Sequence, residues 1–226
     1  MTISSLAAEL EEDHDWRQSE ILLLQNQIAK LRDEGEKERL RRASILLVYG
    51  HFEGFCRFAL TLYVNKINSL GIRCGEASFA VAASSLSKIF AALRNPDKKS
   101  DIFRRALPED KKLHRFARDL EFVERADEIE DQLVSISEDI VDTEANLKPV
   151  VLKKNLFKLG ISYDILEEFE VELGRLVHLR NNISHGASRS GVSKALYEKY
   201  RDSAFAIMNT VKKLILNAVI HQEYLR

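Results

Sequence analysis

The chain has 226 residues, of which 45% are hydrophobic and 31% charged, so it is long and apolar enough to bury a substantial core. Its formal net charge is −1, which argues against a protein that coats nucleic acid through a global positive field but leaves room for a local phosphate site. Its two cysteines, Cys56 and Cys74, form neither a disulfide framework nor a zinc-binding set, and they fit a reducing compartment.

Composition also predicts the fold class. The chain has nine glycines and three prolines, both scarce, and it is rich in Leu, Ala, Glu, Lys and Arg. Because the first two residue types interrupt helices and the others favour them, we expect an all-α protein. The N-terminal sequence MTISSLAAELEEDHDW is acidic and has no apolar signal-peptide segment, and the longest apolar runs fall far short of the roughly 20 residues of a membrane span. We therefore expect a cytoplasmic protein without a membrane segment.

Two long helices are predicted first. Apolar residues recur at helical spacing over residues 4–33, and Gly35 marks a break. A longer helix with a broad apolar face follows over 36–70. With no repeat and no flexible linker, the pattern predicts one compact domain overall, divided into an N-terminal helical extension over 1–35 and a helical bundle over 36–226.

The middle of the chain is less regular. A shorter helix is expected over 77–93, either continuous or broken by its serines, before the Asn95-Pro96-Asp97 turn. Pro108 is placed to open a helix that runs toward Arg125, since proline is welcome in a first helical turn. Residues 129–142 alternate charged and apolar groups and are either helical or extended.

Three helices are predicted in the C-terminal part. Pro149 suits the first turn of a short helix that closes at Gly160. Ser162 is placed to cap a helix that continues through Leu179. The last helix, over about 192–224, has its apolar residues on one face.

The heptapeptide from Arg180 to Gly186, Arg-Asn-Asn-Ile-Ser-His-Gly, is the first candidate site. A guanidinium can hold a phosphate and an imidazole can move a proton near neutral pH. On a regular helix the side chains of Arg180 and His185 point about 140° apart, so they converge only through a kink, a frayed last turn or a second copy of the site. The alternative is structural: both side chains cap the last turn and pair with Glu167 or Glu170.

The second candidate is a polar stripe in the helix over 36–70. Tyr49, Glu53 and Arg57 recur every four residues and share one face, where Glu53 and Arg57 are spaced for an ion pair. Charge in such apolar surroundings is either paired or serves a site. Gly50 and Gly54 each cost about 1 kcal/mol of helix stability relative to alanine, which predicts a close helix contact or space for a ligand.

Together these residues resemble the HEPN superfamily. The Arg-Asn-x-x-x-His pattern is met by Arg180, Asn181 and His185. The stripe formed by Tyr49, Glu53 and Arg57 is similar to that of one prokaryotic, nuclease-like HEPN branch, in which the last position is often lysine. The segment Trp16-Arg17-x-x-Glu20 also fits that branch.

The resemblance implies a HEPN-like helical bundle that dimerises about a two-fold axis, with the two Arg/His motifs forming one composite site. It implies a metal-independent endoribonuclease with no cofactor, acting on RNA in a toxin–antitoxin or anti-phage setting, with an antitoxin or companion protein as a further partner. The alternative is a catalytically inactive HEPN interaction or nucleotide-binding module within a defence complex.

The residue types then suggest roles. The ribose 2′-OH attacks the adjacent phosphate and leaves a 2′,3′-cyclic phosphate. His185 serves as general base or acid, Arg180 stabilises the transition-state charge, and Asn181 orients a phosphate oxygen or the imidazole. We expect Glu53 to hold Arg180 or Arg57 in place, Tyr49 to contact the ribose or the phosphate, and Arg57 to support phosphate binding.

Other charged groups give weaker signals. His178 lies seven residues before His185, but two potential ligands do not make a metal site. Two basic clusters either meet RNA or an acidic partner or simply keep the surface soluble. They consist of Arg39, Arg41 and Arg42, and of Arg104, Arg105, Lys111, Lys112, Arg115 and Arg118.

Overall fold

The computed structural model describes residues 2–95, 97, 99 and 111–226. Within these residues the protein is all-α, as predicted, and extended pairing is limited to two isolated bridges, Arg73 with Leu133 and Ala77 with Leu225. The helices are α1 (Ile3–Lys30), α2 (Glu34–Asn68), α3 (Phe79–Ser85), α4 (Ser87–Arg94), α5 (Lys111–Glu124), α6 (Ala126–Asp131), α7 (Pro149–Lys158), α8 (Glu170–Ser184) and α9 (Lys194–Ile220).

Helix α2 is the centre of the bundle. It packs most extensively on α9 and also contacts α1 and α8. The largest fully buried side chains include Tyr49, Phe52, Phe55 and Tyr63 of α2 and Tyr197 of α9. Burying an aromatic or aliphatic side chain of this size stabilises the fold by about 1.5–3 kcal/mol, so the buried face of α2 contributes strongly to stability.

By length and composition alone, α2 and α9 would also qualify as membrane-crossing helices. Their apolar side chains, however, supply nearly half of the buried core of the bundle. Packing within the protein therefore accounts for their hydrophobic composition.

The long helices occur as predicted, with one correction at their junction. Gly35 was expected to mark the break, but it lies inside the first turn of α2. The break is at Leu31–Asp33, where the Asp33 carboxylate accepts a hydrogen bond from the Glu36 amide at 2.7 Å and caps α2. The helix expected over 77–93 is broken at Leu86 into α3 and α4.

The region before α7 mixes helix and extended chain. α6 ends at Asp131, and the following segment is extended and fixed to the end of α2 by Asn68, whose side chain bonds both the amide and the carbonyl of Ile136. A 3-10 turn follows at Glu138–Ile140. Helix α5 agrees with the helix predicted toward Arg125, while Pro108, its predicted start, lies outside the described residues, as do Pro96, Arg104 and Arg105.

The predicted cap at Ser162 is wrong. A 3-10 turn at Asp164–Phe169 precedes α8, and the Leu166 amide bonds the Tyr163 carbonyl three residues back, so an α-helix does not start at Ser162. The flanking helices agree with expectation. Pro149 opens α7, and Gly160, with a φ of 72°, follows its end. The last helix starts one residue after Ser193, which caps it.

Candidate active site

The Arg180–Gly186 segment lies at the C-terminal end of α8. α8 ends at Ser184, and His185 is the exposed C-cap residue, whose amide bonds the Asn181 carbonyl at 3.0 Å. Gly186 has a φ of 71°, the left-handed conformation that a residue without Cβ adopts at low cost. The predicted placement of His185 at the end of the helix is therefore confirmed.

Arg180 is held by neutral groups. Its Nη1 donates to Oδ1 of Asn146 at 3.0 Å and to Oδ1 of Asn181 at 2.9 Å. Its Cζ lies 4.8 Å from the centre of the Tyr49 ring, within cation–π range. Among the described residues no carboxylate lies within 4.0 Å of the guanidinium, although the side chain is half-buried. The other N–H groups of Arg180 have no hydrogen-bond partner among the described residues, so the site presents a cation that can bind an anion.

Tyr49 forms the floor beneath this cation. It is only 1% exposed, and its hydroxyl oxygen accepts a hydrogen bond from the Leu147 amide at 2.7 Å. Burial, reinforced by the Glu53 carboxylate, raises the pKa of Tyr49 to about 12, so the phenol is neutral at physiological pH. Tyr49 thus contributes the ring face under Arg180, with its hydroxyl turned to the interior.

Asn146 is a site residue that sequence reasoning missed. It lies in a tight turn in which Glu144 and Ala145 have positive φ values of 47° and 62°. The Asp142 carboxylate accepts from the Glu144 amide at 2.8 Å, and the Asn146 amide bonds the Thr143 carbonyl at 2.9 Å. The only sequence signal was the turn-forming composition just before α7. This turn delivers the Asn146 amide oxygen to Arg180.

Glu53 and Arg57 do not form the predicted ion pair. Arg57 is exposed, Glu53 is half-buried, and no salt bridge joins them in the part of the chain that the structure describes. Glu53 likewise makes no ion pair with Arg180 there. Its electrostatic partner is the Tyr49 hydroxyl. The stripe therefore divides into an inner pair, Tyr49 and Glu53, and an outer cation, Arg57.

The two glycines of the stripe have different surroundings. A Cβ on Gly54 would lie 2.7 Å from Nη1 of Arg17, whereas a Cβ on Gly50 would meet nothing within 4 Å. Arg17 is fixed by an ion pair to Asp13 at 2.7 Å and lies 4.6 Å from the Trp16 ring centre. The Trp16-Arg17 segment thus docks α1 on α2 at Gly54, and Gly50 leaves an open patch on α2.

One chain does not bring Arg180 and His185 onto the same face. α8 is unbroken from Glu170 to Ser184, so no kink redirects either side chain. Arg180 faces Tyr49 on α2. His185 shares the opposite, exposed face with Val171, Gly174 and His178, which precede it at helical spacing. A site that uses both side chains therefore needs a second component on the exposed face.

That exposed face is flanked by two shallow pockets of about 490 and 520 Å³, which share Glu170, Gly174 and His178. Leu196 of α9 borders one pocket and Val150 of α7 the other. Val171 is 61% exposed and Val150 54% exposed. Among the described residues, no group of three or more His, Cys, Asp or Glu side chains is placed to hold a metal ion.

Comparison with known proteins identifies a family. A family model described as MAE_28990-like HEPN matches residues 6–224, nearly the whole chain. This range includes every candidate site residue from Trp16 to His185. No curated protein and no solved structure matches the chain.

Proposed function

Because the chain belongs to the MAE_28990-like HEPN family, we propose that it is an endoribonuclease that cuts RNA without a metal ion. The family is one of nuclease-type or nucleotide-binding defence modules. The observation that supports catalysis is the state of Arg180, a half-buried cation held by two amide oxygens and a ring with no carboxylate nearby in the described residues. A partly desolvated charge of this kind is best compensated by an anion such as a phosphate.

The reaction uses the 2′-OH of the substrate as nucleophile, which restricts it to RNA. His185 takes the proton from that hydroxyl and, directly or through its dimer mate, returns one to the leaving 5′ oxygen. Arg180 binds the non-bridging oxygens as negative charge accumulates on them. The Asn181 amide oxygen holds Arg180 at Nη1 and so sets its direction. The products are a 2′,3′-cyclic phosphate and a 5′-OH.

The active form in this proposal is a two-fold homodimer. The exposed face of α8, with Val171, Gly174 and His178, lies between Val150 and Leu196 and is apolar enough to bury against a copy of itself. Gly174 has nothing within 4 Å of where a Cβ would be, which permits close approach of a partner helix. If the two α8 helices pack in parallel, the two-fold axis runs along them and both His185 side chains lie near it.

The proposed setting is cytoplasmic toxin–antitoxin or anti-phage defence, because an RNA-cutting protein needs restraint by an antitoxin or companion protein. The alternative is an inactive HEPN module that binds a nucleotide or a protein partner. The amide-held Arg180 also suits a nucleotide phosphate, so this alternative shares the same cation. Cleavage itself separates the two functions.

The deciding experiment is cleavage of labelled single-stranded RNA in excess EDTA. His185→Ala is compared with His221→Ala, a matched control because His221 is the C-cap of α9 with a φ of −89° and a ψ of 3°, against −89° and 5° for His185. We expect His185→Ala to lower the rate by about 10²–10⁴. His221→Ala and wild type should cut equally and leave 2′,3′-cyclic phosphate ends.

Two results would count against catalysis. One is a folded wild-type protein that leaves RNA intact while binding a nucleotide through Arg180, which would assign the inactive-module function. The other is cleavage by His185→Ala at the wild-type rate, which would remove His185 from the mechanism.

A further inference from the structure

One row of residues on α2 runs along the surface past the candidate site. Its members are spaced by three or four residues, so they lie on one face of the helix. All are exposed or half-buried, and they include three arginines and a single acid. The row consists of Arg39, Arg42, Leu46, Gly50, Glu53 and Arg57.

The three arginines of this row are not neutralised by neighbours. Among the described residues, no carboxylate lies within 4.0 Å of Arg39, Arg42 or Arg57. Arg41, predicted to belong to the same basic cluster, is different. It is buried, and its Nη1 bonds the Glu34 carboxylate at 2.7 Å. Of that cluster, Arg39 and Arg42 therefore remain able to bind an anion, whereas Arg41 does not.

The row adjoins the site at two points. Arg42 Nη1 donates to the Arg189 carbonyl, in the loop that follows His185. Further along α2, Tyr49 carries Arg180 on its ring. Gly50 has no side chain to obstruct the surface between them. Arg39 and Arg57 are 18 residues apart, which is about 27 Å at 1.5 Å per helical residue.

We propose that this row is a track for the sugar-phosphate backbone of single-stranded RNA, which binds phosphates on both sides of the one to be cut. The proposal rests on the ribonuclease function above and adds the path of the substrate. Arginines spread along the path of a strand bind its phosphates and position it without reading its bases. RNA is favoured over an acidic protein because the row leads directly to Arg180, the cation proposed to hold the scissile phosphate.

The test measures binding of a 2′-O-methyl oligonucleotide, which lacks the attacking hydroxyl, by fluorescence anisotropy at several salt concentrations. The variant is Arg39→Ala/Arg42→Ala. The control is Arg115→Ala/Lys213→Ala, which removes two exposed cations from α5 and α9. Each lost phosphate contact lowers the slope of log K against log salt by about 0.7 for a single strand. We expect a loss of about 1.4 in the variant and wild-type behaviour in the control.

A charge-preserving variant, Arg39→Lys/Arg42→Lys, distinguishes the effect of charge from the effect of the Arg42–Arg189 contact. It should keep most of the wild-type slope of log K against log salt. An unchanged slope in the alanine variant would overturn the track while leaving cleavage by wild type intact. A second result would also overturn the track, in favour of an acidic protein partner. In that result poly-glutamate binds wild type as tightly as the oligonucleotide does, and the alanine variant loses both kinds of binding equally. Absence of cleavage of unmodified RNA by wild type would instead overturn the ribonuclease function, which the binding slope does not measure.

Discussion

The guanidinium of Arg180 lies 4.8 Å above the ring centre of Tyr49, whose hydroxyl is bonded in turn to the Leu147 amide. A buried side chain of the central helix thus supports the proposed phosphate-binding cation. The same loop that bonds Tyr49 supplies Asn146 to Arg180. The orientation of the Arg180 guanidinium is therefore set by a core side chain, Tyr49, and by the turn that contains Asn146.

Replacing Tyr49 separates its ring from its hydroxyl. Tyr49→Phe keeps the ring under Arg180 but leaves the buried Leu147 amide without its acceptor, which costs about 1–3 kcal/mol. We expect lower stability with cleavage by the folded protein retained. Tyr49→Leu removes the ring as well and should lower both stability and cleavage, as measured by urea unfolding and RNA cleavage. Equal cleavage by the two variants would show that the ring does not position Arg180.

Asn146→Asp should weaken phosphate binding at nearly constant shape. A carboxylate at this position would sit 3.0 Å from Nη1 of Arg180, where an amide oxygen now lies. A hydrogen bond between charged groups contributes about 1.5–3 kcal/mol, which is tenfold or more in competition with substrate. We expect a higher KM and slower cleavage in Asn146→Asp than in Asn146→Ala. The reverse order would argue that Arg180 does not bind the substrate.

The sequence allowed the end of α8 to be predicted because its signals are local. Helical periodicity and the glycine at position 186 place His185 at a C-terminus without knowledge of any neighbour. The contact between Asn146 and Arg180 joins residues 34 apart and depends on a turn with two positive φ values. The orientation of Glu53 depends on the packing of Tyr49. Neither can be inferred from spacing, because both are tertiary relationships.

Gly50 and Gly54 also differ in a way that the sequence alone does not predict, and they give a matched pair of variants. In sequence they look alike, since each costs about 1 kcal/mol in a helix relative to alanine. Gly50→Ala should stabilise the protein by about that amount, since its Cβ would meet nothing within 4 Å. Gly54→Ala places a Cβ 2.7 Å from Nη1 of Arg17, so the end of that side chain must shift away from its ion pair with Asp13, and this offsets the helix gain. Chemical unfolding should rank Gly54→Ala below Gly50→Ala, and equal midpoints would contradict the docking of Arg17 at Gly54.

His51 should make the fold sensitive to acid. Burial lowers the pKa of His51 below its ordinary 6.5, outweighing the opposing effect of Glu20, whose Oε2 lies 2.9 Å from Nε2. The unfolded chain then binds more protons than the folded one near and below that pH, so stability falls as the pH drops through it. We expect His51→Gln to flatten this fall in urea midpoints between about pH 7 and pH 5. His221→Gln, a control at an exposed position, should not flatten the fall. Parallel plots of urea midpoint against pH for wild type and both variants would contradict the prediction.

The proposed composite site requires the dimer for activity. Val171→Glu, on the exposed face of α8, should give monomers in sedimentation experiments and abolish cleavage. The control Leu22→Glu, at a comparably exposed position on α1, should leave both the dimer and cleavage intact. Mixing inactive Arg180→Ala with inactive His185→Ala protein then tests the sharing of residues. If Arg180 of one subunit acts with His185 of its partner, half of the exchanged dimers carry one intact site of two, which restores about a quarter of wild-type activity. A mixture that exchanges subunits but stays inactive would mean that each chain uses its own pair, and that α8 must rearrange to bring Arg180 and His185 together.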